Sequence, residues 1–484
     1  MDQNRQIYRL QADLEDYAAQ GLYPFHMPGH KRRMQPAPGL PFDWDLTEVP
    51  GTDDLHEADG ILREAMDRTA RLCGADRTWY LVNGSTCGLL AGIRALAGQG
   101  AEVICARNCH KAVFHAIELA GFQVHWILPE TDPDWGICRG ITAGEVESAL
   151  RRHPSSRAVI LTSPTYEGIL SETEEICRIC HARGIPVLVD EAHGAHLLAL
   201  SEAAGFPPGA LAAGADLVVQ SPHKTLPSLT QTALLHLKGG LVDPLRVEEE
   251  LDYFETSSPS YPLMASLDGC TGILVEQGAE LFQKWAERLD RFDRAVENRL
   301  HRLRILGRGE DRTLAAEHRS LDPGKILIDA AGAGMTGLQL AAVLREKYRM
   351  ETEMQQGPLV LVMTSICDEE DALDRLARAL LEIDAVGAPA DRTGAAFSAS
   401  DLRPRVYCAP GRAAALEKEE VPFSDACGRI CAEYLYYYPP GIPFLAPGEV
   451  ITRKILTLVE DLQAAGQYPY RHPEGMRTIR CLRD

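Results

Sequence analysis

Pro186-Val-Leu-Val-Asp190 and Asp216-Leu-Val-Val-Gln220-Ser-Pro-His-Lys224 decide the fold of this chain. Each is a short apolar run that stops on polar residues, as strands do when helices cover both faces of a parallel sheet. The interval between Asp190 and Lys224 fits one βαβ crossover. Outward from this pair, further apolar runs stand at residues 102–105, 124–128, 158–162 and 233–237. Helix-length stretches such as 111–121 and 172–184 lie between them and end on Gly, as helices often do. The alternation predicts an α/β protein. In an open α/β sheet the ligand site lies beyond the carboxyl ends of the strands. That rule directs attention to Asn108 and His110, Ser163 to Tyr166, Asp190 to His193, and Ser221 to Lys224.

The chain has 484 residues, 45% of them hydrophobic, enough for two or three domains. Its 49 Lys and Arg against 69 Asp and Glu give a net charge of -20, which argues against nucleic acid as a partner. The polar, acid-bearing N-terminus is unlike a signal peptide, and the longest apolar run, Leu359-Val-Leu-Val-Met-Thr-Ser-Ile-Cys367, is too short to span a membrane. Thirteen scattered cysteines fit reduced thiols, so a cytoplasmic location is expected. The first fifty residues, rich in Pro and Gly, predict an extended arm rather than a packed element. A second α/β unit is expected from the strands at 325–329 and 359–363 and the helices at 336–348 and 368–383. Residues 386–400 have the composition of a linker. The resulting division is an arm at 1–55, a large domain at 56–310, a small α/β domain at 311–385 and a C-terminal domain at 402–484.

Asp190 and Lys224 set a carboxylate and an amine at two strand ends. Pyridoxal phosphate needs such a pair: the lysine carries the cofactor as a Schiff base, and the carboxylate keeps the pyridine nitrogen protonated so that the ring accepts electrons. Asn83-Gly-Ser-Thr-Cys-Gly88 precedes a helix-like run, so backbone N–H groups with the Ser85 and Thr86 hydroxyls would hold a phosphate at a helix N-terminus. His110 would stack on one face of the ring. Singly these signals are weak, because a lysine at a strand end is usually a solvated charge and an NGST turn usually only a turn. Their order along the chain, phosphate loop, His, Asp and Lys, carries the reading.

Phe25-His-Met-Pro-Gly-His-Lys31, Asp53-Asp-Leu-His56, Asn83-Gly-Ser-Thr86, Asn108-Cys-His-Lys111, Asp190-Glu-Ala-His-Gly194, Ser221-Pro-His-Lys-Thr225 with Thr230-Gln231, Thr256-Ser-Ser-Pro-Ser-Tyr261, and Pro439-Pro-Gly-Ile-Pro443 with Pro447-Gly-Glu449 together resemble the Orn/Lys/Arg decarboxylase family, group III of the pyridoxal phosphate decarboxylases. The resemblance implies a fold type I, aminotransferase-like large domain with a mostly parallel sheet, a small α/β domain and a family-specific C-terminal domain. It also implies a homodimer or an assembly of dimers, with the active site at the subunit interface. By motif it makes Lys224 the Schiff-base lysine and Asp190 the pyridinium partner, with His193 beside it. His110 becomes the stacking residue, and Ser85, Thr86, Ser221 and His223 serve the phosphate. Ser258 is a candidate contact to the neighbouring subunit's phosphate, and Glu449 and the N-terminal arm are similar to segments that close the substrate pocket. Pro227 departs from the pattern, since many members have a small residue there. The chain resembles the short branch of the family, so oligomerisation through an N-terminal wing domain is not expected.

The implied reaction is decarboxylation of a basic amino acid: arginine to agmatine first, by likeness of the short branch to arginine decarboxylases, then lysine or ornithine. The substrate amine displaces Lys224, the α-carboxylate leaves its electrons to the ring, and Lys224 or His223 returns a proton to Cα. Glu449, Asp53 and Asp54 are candidates to pair with the cationic head, although the Asp pair reads equally as a turn or helix cap. No metal is called for. Val189-Asp-Glu-Ala-His193 matches the acidic motif of helicases, but the chain lacks the G-x-x-x-x-G-K-[ST] loop those enzymes need. Cys177-Arg-Ile-Cys-His181 matches a haem-attachment pattern, and two core-facing cysteines with a helix-end histidine account for it better. An aminotransferase on the same fold is the nearest competitor. A non-catalytic homologue sits poorly with intact Lys224 and Asp190.

Overall fold

The computed structural model describes residues 3–20, 22, 27–28, 30–31, 39–308, 321–386, 405–438, 441–464, 468–470, 472 and 475–483. Much of the Phe25–Lys31 motif, residues 387–400 of the expected 386–400 linker, Pro439 and Pro440 lie outside them. The apolar runs fold as strands β1 (Arg77–Leu81), β2 (Glu102–Ala106), β3 (Gln123–Ile127), β4 (Val159–Thr162), β5 (Val187–Glu191), β6 (Leu217–Gln220), β7 (Ala233–Leu237), β8 (Arg304–Ile305), β9 (Lys325–Asp329), β10 (Met354–Gln356) and β11 (Leu359–Met363). Helices α1 (Gln3–Ile7), α2 (Arg9–Ala19), α3 (Ile61–Cys73), α4 (Gly84–Leu96), α5 (Lys111–Ala120), α6 (Ala143–Arg152), α7 (Thr173–His181), α8 (Ala199–Glu202), α9 (Pro222–Thr225), α10 (Pro244–Phe254) and α11 (Tyr261–Val296) alternate with them. Local chemistry sets several ends. Thr142 and Glu145 form a reciprocal capping box on α6, and Thr336 and Gln339 form another on the helix Gly337–Tyr348. The helix α5 stops where Gly121 takes the left-handed conformation, at φ +63°.

The chain divides into two compact units, one of Met1–Ala95, Thr173–Asp290 and Thr364–Glu370, the other of Leu96–Glu172, Arg291–Met363 and Asp371–Asp484. In the first unit the strands lie in the order β1-β7-β6-β5. There β5 and β6 run parallel, with Asp190 opposite Val219 and Glu191 opposite Gln220, while β7 is antiparallel to both β6 and β1. Residues 233–237 thus form an antiparallel member of a mostly parallel sheet, the chain returning from β6 through residues 221–232, which carry Lys224. In the second unit β4, β2 and β3 are all parallel, and β10-β11-β9-β8 form an antiparallel sheet. Strands Lys418–Pro422 and Thr478–Leu482 pair in the C-terminal region.

The extended arm expected of the first fifty residues is corrected at its start. Leu10, Leu14 and Tyr17 of α2 are buried against Leu62, Ala65 and Met66 of α3 and Tyr261, Met264 and Leu267 of α11. Their spacing is that of one helical face, which the Pro/Gly content of the following residues hid. The strand β1 was also missed, because it opens on Arg77 and Thr78 before its apolar residues. Among the described residues no helix is long and apolar enough to cross a membrane.

Candidate active site

Parallel pairing of β5 with β6 brings the two strand ends together, and with them Asp190 and the turn after β6. Ser221 leads into the single helical turn α9, on which His223 and Lys224 sit. The Lys224 Nζ lies 3.2 Å from His193 Nε2. Asp190 is buried, and its Oδ1 accepts the Ala192 N–H at 3.2 Å. Burial raises the Asp190 carboxyl above its ordinary range, while the Lys224 ammonium and the Ala192 N–H pull it back. A cationic ring nitrogen beside it would supply the charge partner that such a buried carboxylate lacks in full. His223 donates Nδ1–H to the Thr232 carbonyl at 2.6 Å, and burial first, then Lys224, hold its pKa below the usual histidine value. The ring is therefore neutral and presents Nε2 as an acceptor.

Ser85 and Thr86 occupy the first turn of α4 after Gly84, which is left-handed at φ +78°. Two further hydroxyls of the Lys224 turn, Ser221 Oγ and Thr225 Oγ1, are buried with no hydrogen-bond partner among the described residues. A buried hydroxyl left unpaired costs about 1–3 kcal/mol. Orphaned donors beside a lysine and a buried aspartate are what a phosphorylated pyridine cofactor would satisfy. Ser258 is exposed between α10 and α11, with its N–H on Thr256 Oγ1 at 3.2 Å.

His110 and Glu449 belong to the second unit. His110 caps α5, its Nδ1 accepting the Ala112 N–H, and a Cβ at Gly441 (φ +79°) would stand 3.1 Å from its Nε2. Glu449, expected at the substrate pocket, has both oxygens committed: Arg107 Nε donates to Oε1 at 3.1 Å, and Arg107 Nη2 and the Ala446 N–H donate to Oε2 at 2.9 and 2.7 Å. Both side chains of this pair are almost fully buried. Arg107 was passed over in the sequence, although it is the first polar residue after β2. Asp53 accepts backbone N–H groups from Asp54, Asp59, Gly60 and Leu62 and so caps the entry to α3.

The two rival motifs have structural roles. Glu191 accepts the Ala210 N–H on Oε1 and Gln220 Nε2–H on Oε2, so both oxygens are engaged within the fold, and burial pushes its pKa up to about 8. Cys177 and Cys180 are buried on α7, and His181 Nε2 bonds Asp216 at 2.8 Å.

The family model described as Orn/Lys/Arg decarboxylase, major domain, matches residues 9–372, and that described as Orn/Lys/Arg decarboxylase, C-terminal domain, matches residues 397–475. An arginine decarboxylase of Halalkalibacterium halodurans is 35% identical over 471 residues, 95% of this chain and 94% of that protein. An arginine decarboxylase of Bacillus subtilis is 33% identical over 488 residues, 98% of each. Among solved structures, the lysine decarboxylase LdcF of Francisella novicida is similar with a TM-score of 0.82 at 19% identity, covering 99% of this chain and 82% of that one.

Proposed function

The chain belongs to the Orn/Lys/Arg decarboxylase family, and from that premise we propose that it removes the α-carboxylate of arginine, giving agmatine, with pyridoxal phosphate carried on Lys224. The observation that carries the reading is the buried Asp190 beside Lys224 at the ends of two parallel strands. When bound, the cofactor supplies the electron sink into which the carboxylate's bonding pair is released. Asp190 would hold the proton on the ring nitrogen. Ser85, Thr86, Ser221 and Thr225 would hold the phosphate, and by its motif His110 would contact the ring. Lys224, with His193 at 3.2 Å, returns a proton to Cα; His223, neutral and donating Nδ1–H to a carbonyl, is the poorer donor. Ser258 reaches the phosphate of the partner in a homodimer, and the enzyme feeds polyamine biosynthesis in the cytoplasm, in keeping with thirteen free thiols.

Arginine is preferred over lysine and ornithine because relatives named arginine decarboxylase are 33–35% identical over nearly the whole chain, whereas the lysine decarboxylase structure is 19% identical. Carbon dioxide release from arginine, lysine and ornithine, with identification of the amine product, tests the substrate. Lys224→Ala should abolish the absorbance of the lysine-bound cofactor and nearly all turnover, and full activity in that variant would refute the scheme.

A further inference from the structure

Two segments that the reading above assigns to phosphate binding are joined by a residue to which that reading gives no role. Glu255 lies between α10 and the Thr256-Ser-Ser-Pro-Ser segment and is buried. Its Oε2 accepts the Val82 N–H at 3.3 Å and the Cys87 thiol at 3.5 Å, and its Oε1 accepts the Thr256 N–H at 3.3 Å. Val82 is the first residue after β1, and Cys87 follows Ser85 and Thr86 in the first turn of α4. Asn83 Nδ2–H donates to the Phe254 carbonyl at 3.2 Å, adding a second tie across the same gap. The other side of Thr256 is held as well, because its carbonyl bonds His56 Nε2 at 2.9 Å while His56 Nδ1 bonds Asp252 at 2.9 Å. At the far end of the segment Tyr261 OH donates to the Asp53 carbonyl at 2.7 Å. The Lys224 turn joins the set through Gln231, whose amide donates to the Val82 carbonyl.

We infer that Glu255 is a positioning residue that fixes the register between the Gly84–Thr86 phosphate turn and the Thr256–Ser258 segment, so that cofactor retention depends on it. The inference rests on the pyridoxal phosphate reading. Its physical basis is that a carboxylate taking donors from two segments holds both in one geometry. Loss of either oxygen leaves buried N–H groups unpaired and lets the hydroxyls of Ser85 and Thr86 drift from the phosphate position. Burial raises the Glu255 carboxyl, and the Thr256, Cys87 and Val82 donors with His56 pull it back. The Cys87 thiol is itself raised by burial and by Glu255, so it stays protonated and donates.

The test uses the full chain, stripped of cofactor and titrated with pyridoxal phosphate, following absorbance of the lysine-bound form; the melting temperature of the cofactor-free protein is measured alongside. Glu255→Ala should weaken cofactor binding at least about tenfold, which corresponds to about 1.4 kcal/mol. Glu255→Gln should fall between, because the amide keeps one acceptor and turns its NH2 against a donor. If Glu255→Ala does not fold, Glu255→Gln decides with the same readout. Cofactor binding within twofold of wild type, with or without a lower melting temperature, would make Glu255 structural only and overturn the inference. A wild-type chain that takes up no cofactor would overturn the functional reading along with it, so the two failures are told apart.

Discussion

Breaking the Arg107–Glu449 pair should destabilise the second unit without selectively weakening substrate binding. Arg107 donates two charge-assisted hydrogen bonds to Glu449 and a third bond to the Pro443 carbonyl, and its guanidinium lies 4.7 Å from the Phe114 ring centroid. Charge-assisted bonds contribute about 1.5–3 kcal/mol each, and removing one member of a buried pair costs about 3–5 kcal/mol because the other charge is left uncompensated. Against a total stability of about 5–15 kcal/mol, Glu449→Leu or Arg107→Met alone should shift urea unfolding strongly. The double variant Arg107→Met/Glu449→Leu removes both charges together and should be more stable than Glu449→Leu, with a coupling energy of about 2–3 kcal/mol in the double-mutant cycle. Fluorescence during urea unfolding measures it, and KM for the amino acid substrate is recorded for each folded variant. A coupling below about 1 kcal/mol, or a raised KM in Glu449→Gln with stability intact, would refute the clamp and return Glu449 to the substrate.

Asp190→Asn removes the carboxylate from the strand end beside Lys224; losing one charge-assisted bond of about 1.5–3 kcal/mol should lower kcat/KM roughly 10- to 100-fold, read from the rate of carbon dioxide release. His236 is fully buried between Thr78 and Gln220, and burial lowers its pKa to about 3 from 6.5. The neutral ring's contribution is thus complete above pH 6.5 and is lost as pH falls toward 3, by about 2 kcal/mol at pH 5 relative to pH 7. In His236→Gln the drop in melting temperature between pH 7 and pH 5 should shrink, and an unchanged drop would rule this out. Asp53→Ala should cost about 1–2 kcal/mol in thermal unfolding through loss of the α3 cap, leaving KM unaltered. A rise in KM without a stability loss would instead make Asp53 a substrate ligand.

The part of the site that could be read from sequence is the part built from strand ends. Each apolar run marks its own strand, and the residue that ends a parallel one lies at the sheet's carboxyl edge, so Asp190, Ser221 and Lys224 stand out within a few positions. Glu255 gives no such signal, because an acid after Tyr253-Phe254 reads as solvated charge, yet it is buried and bonded to the N–H of Val82, just after β1. Glu449 was noticed for its motif, but its partner Arg107 stands 342 positions away, where no spacing rule reaches. The Leu10, Leu14 and Tyr17 spacing is that of the buried face of α2, but the Pro- and Gly-rich residues that follow led to the expectation of an arm.

By itself the sequence determined the α/β alternation, and it singled out the lysine and aspartate of the proposed site and the turn proposed to offer hydroxyls to a phosphate, since these follow from side-chain periodicity and chain connectivity over a few residues. The tertiary structure decided the direction of β7, the commitment of Glu449 to Arg107 and of Asp53 to a helix cap, and the burial of Glu255 between two loops. Those outcomes depend on which distant groups desolvate one another, and the energy of a buried carboxylate is set by the donors the fold brings to it, not by the residues beside it in the chain.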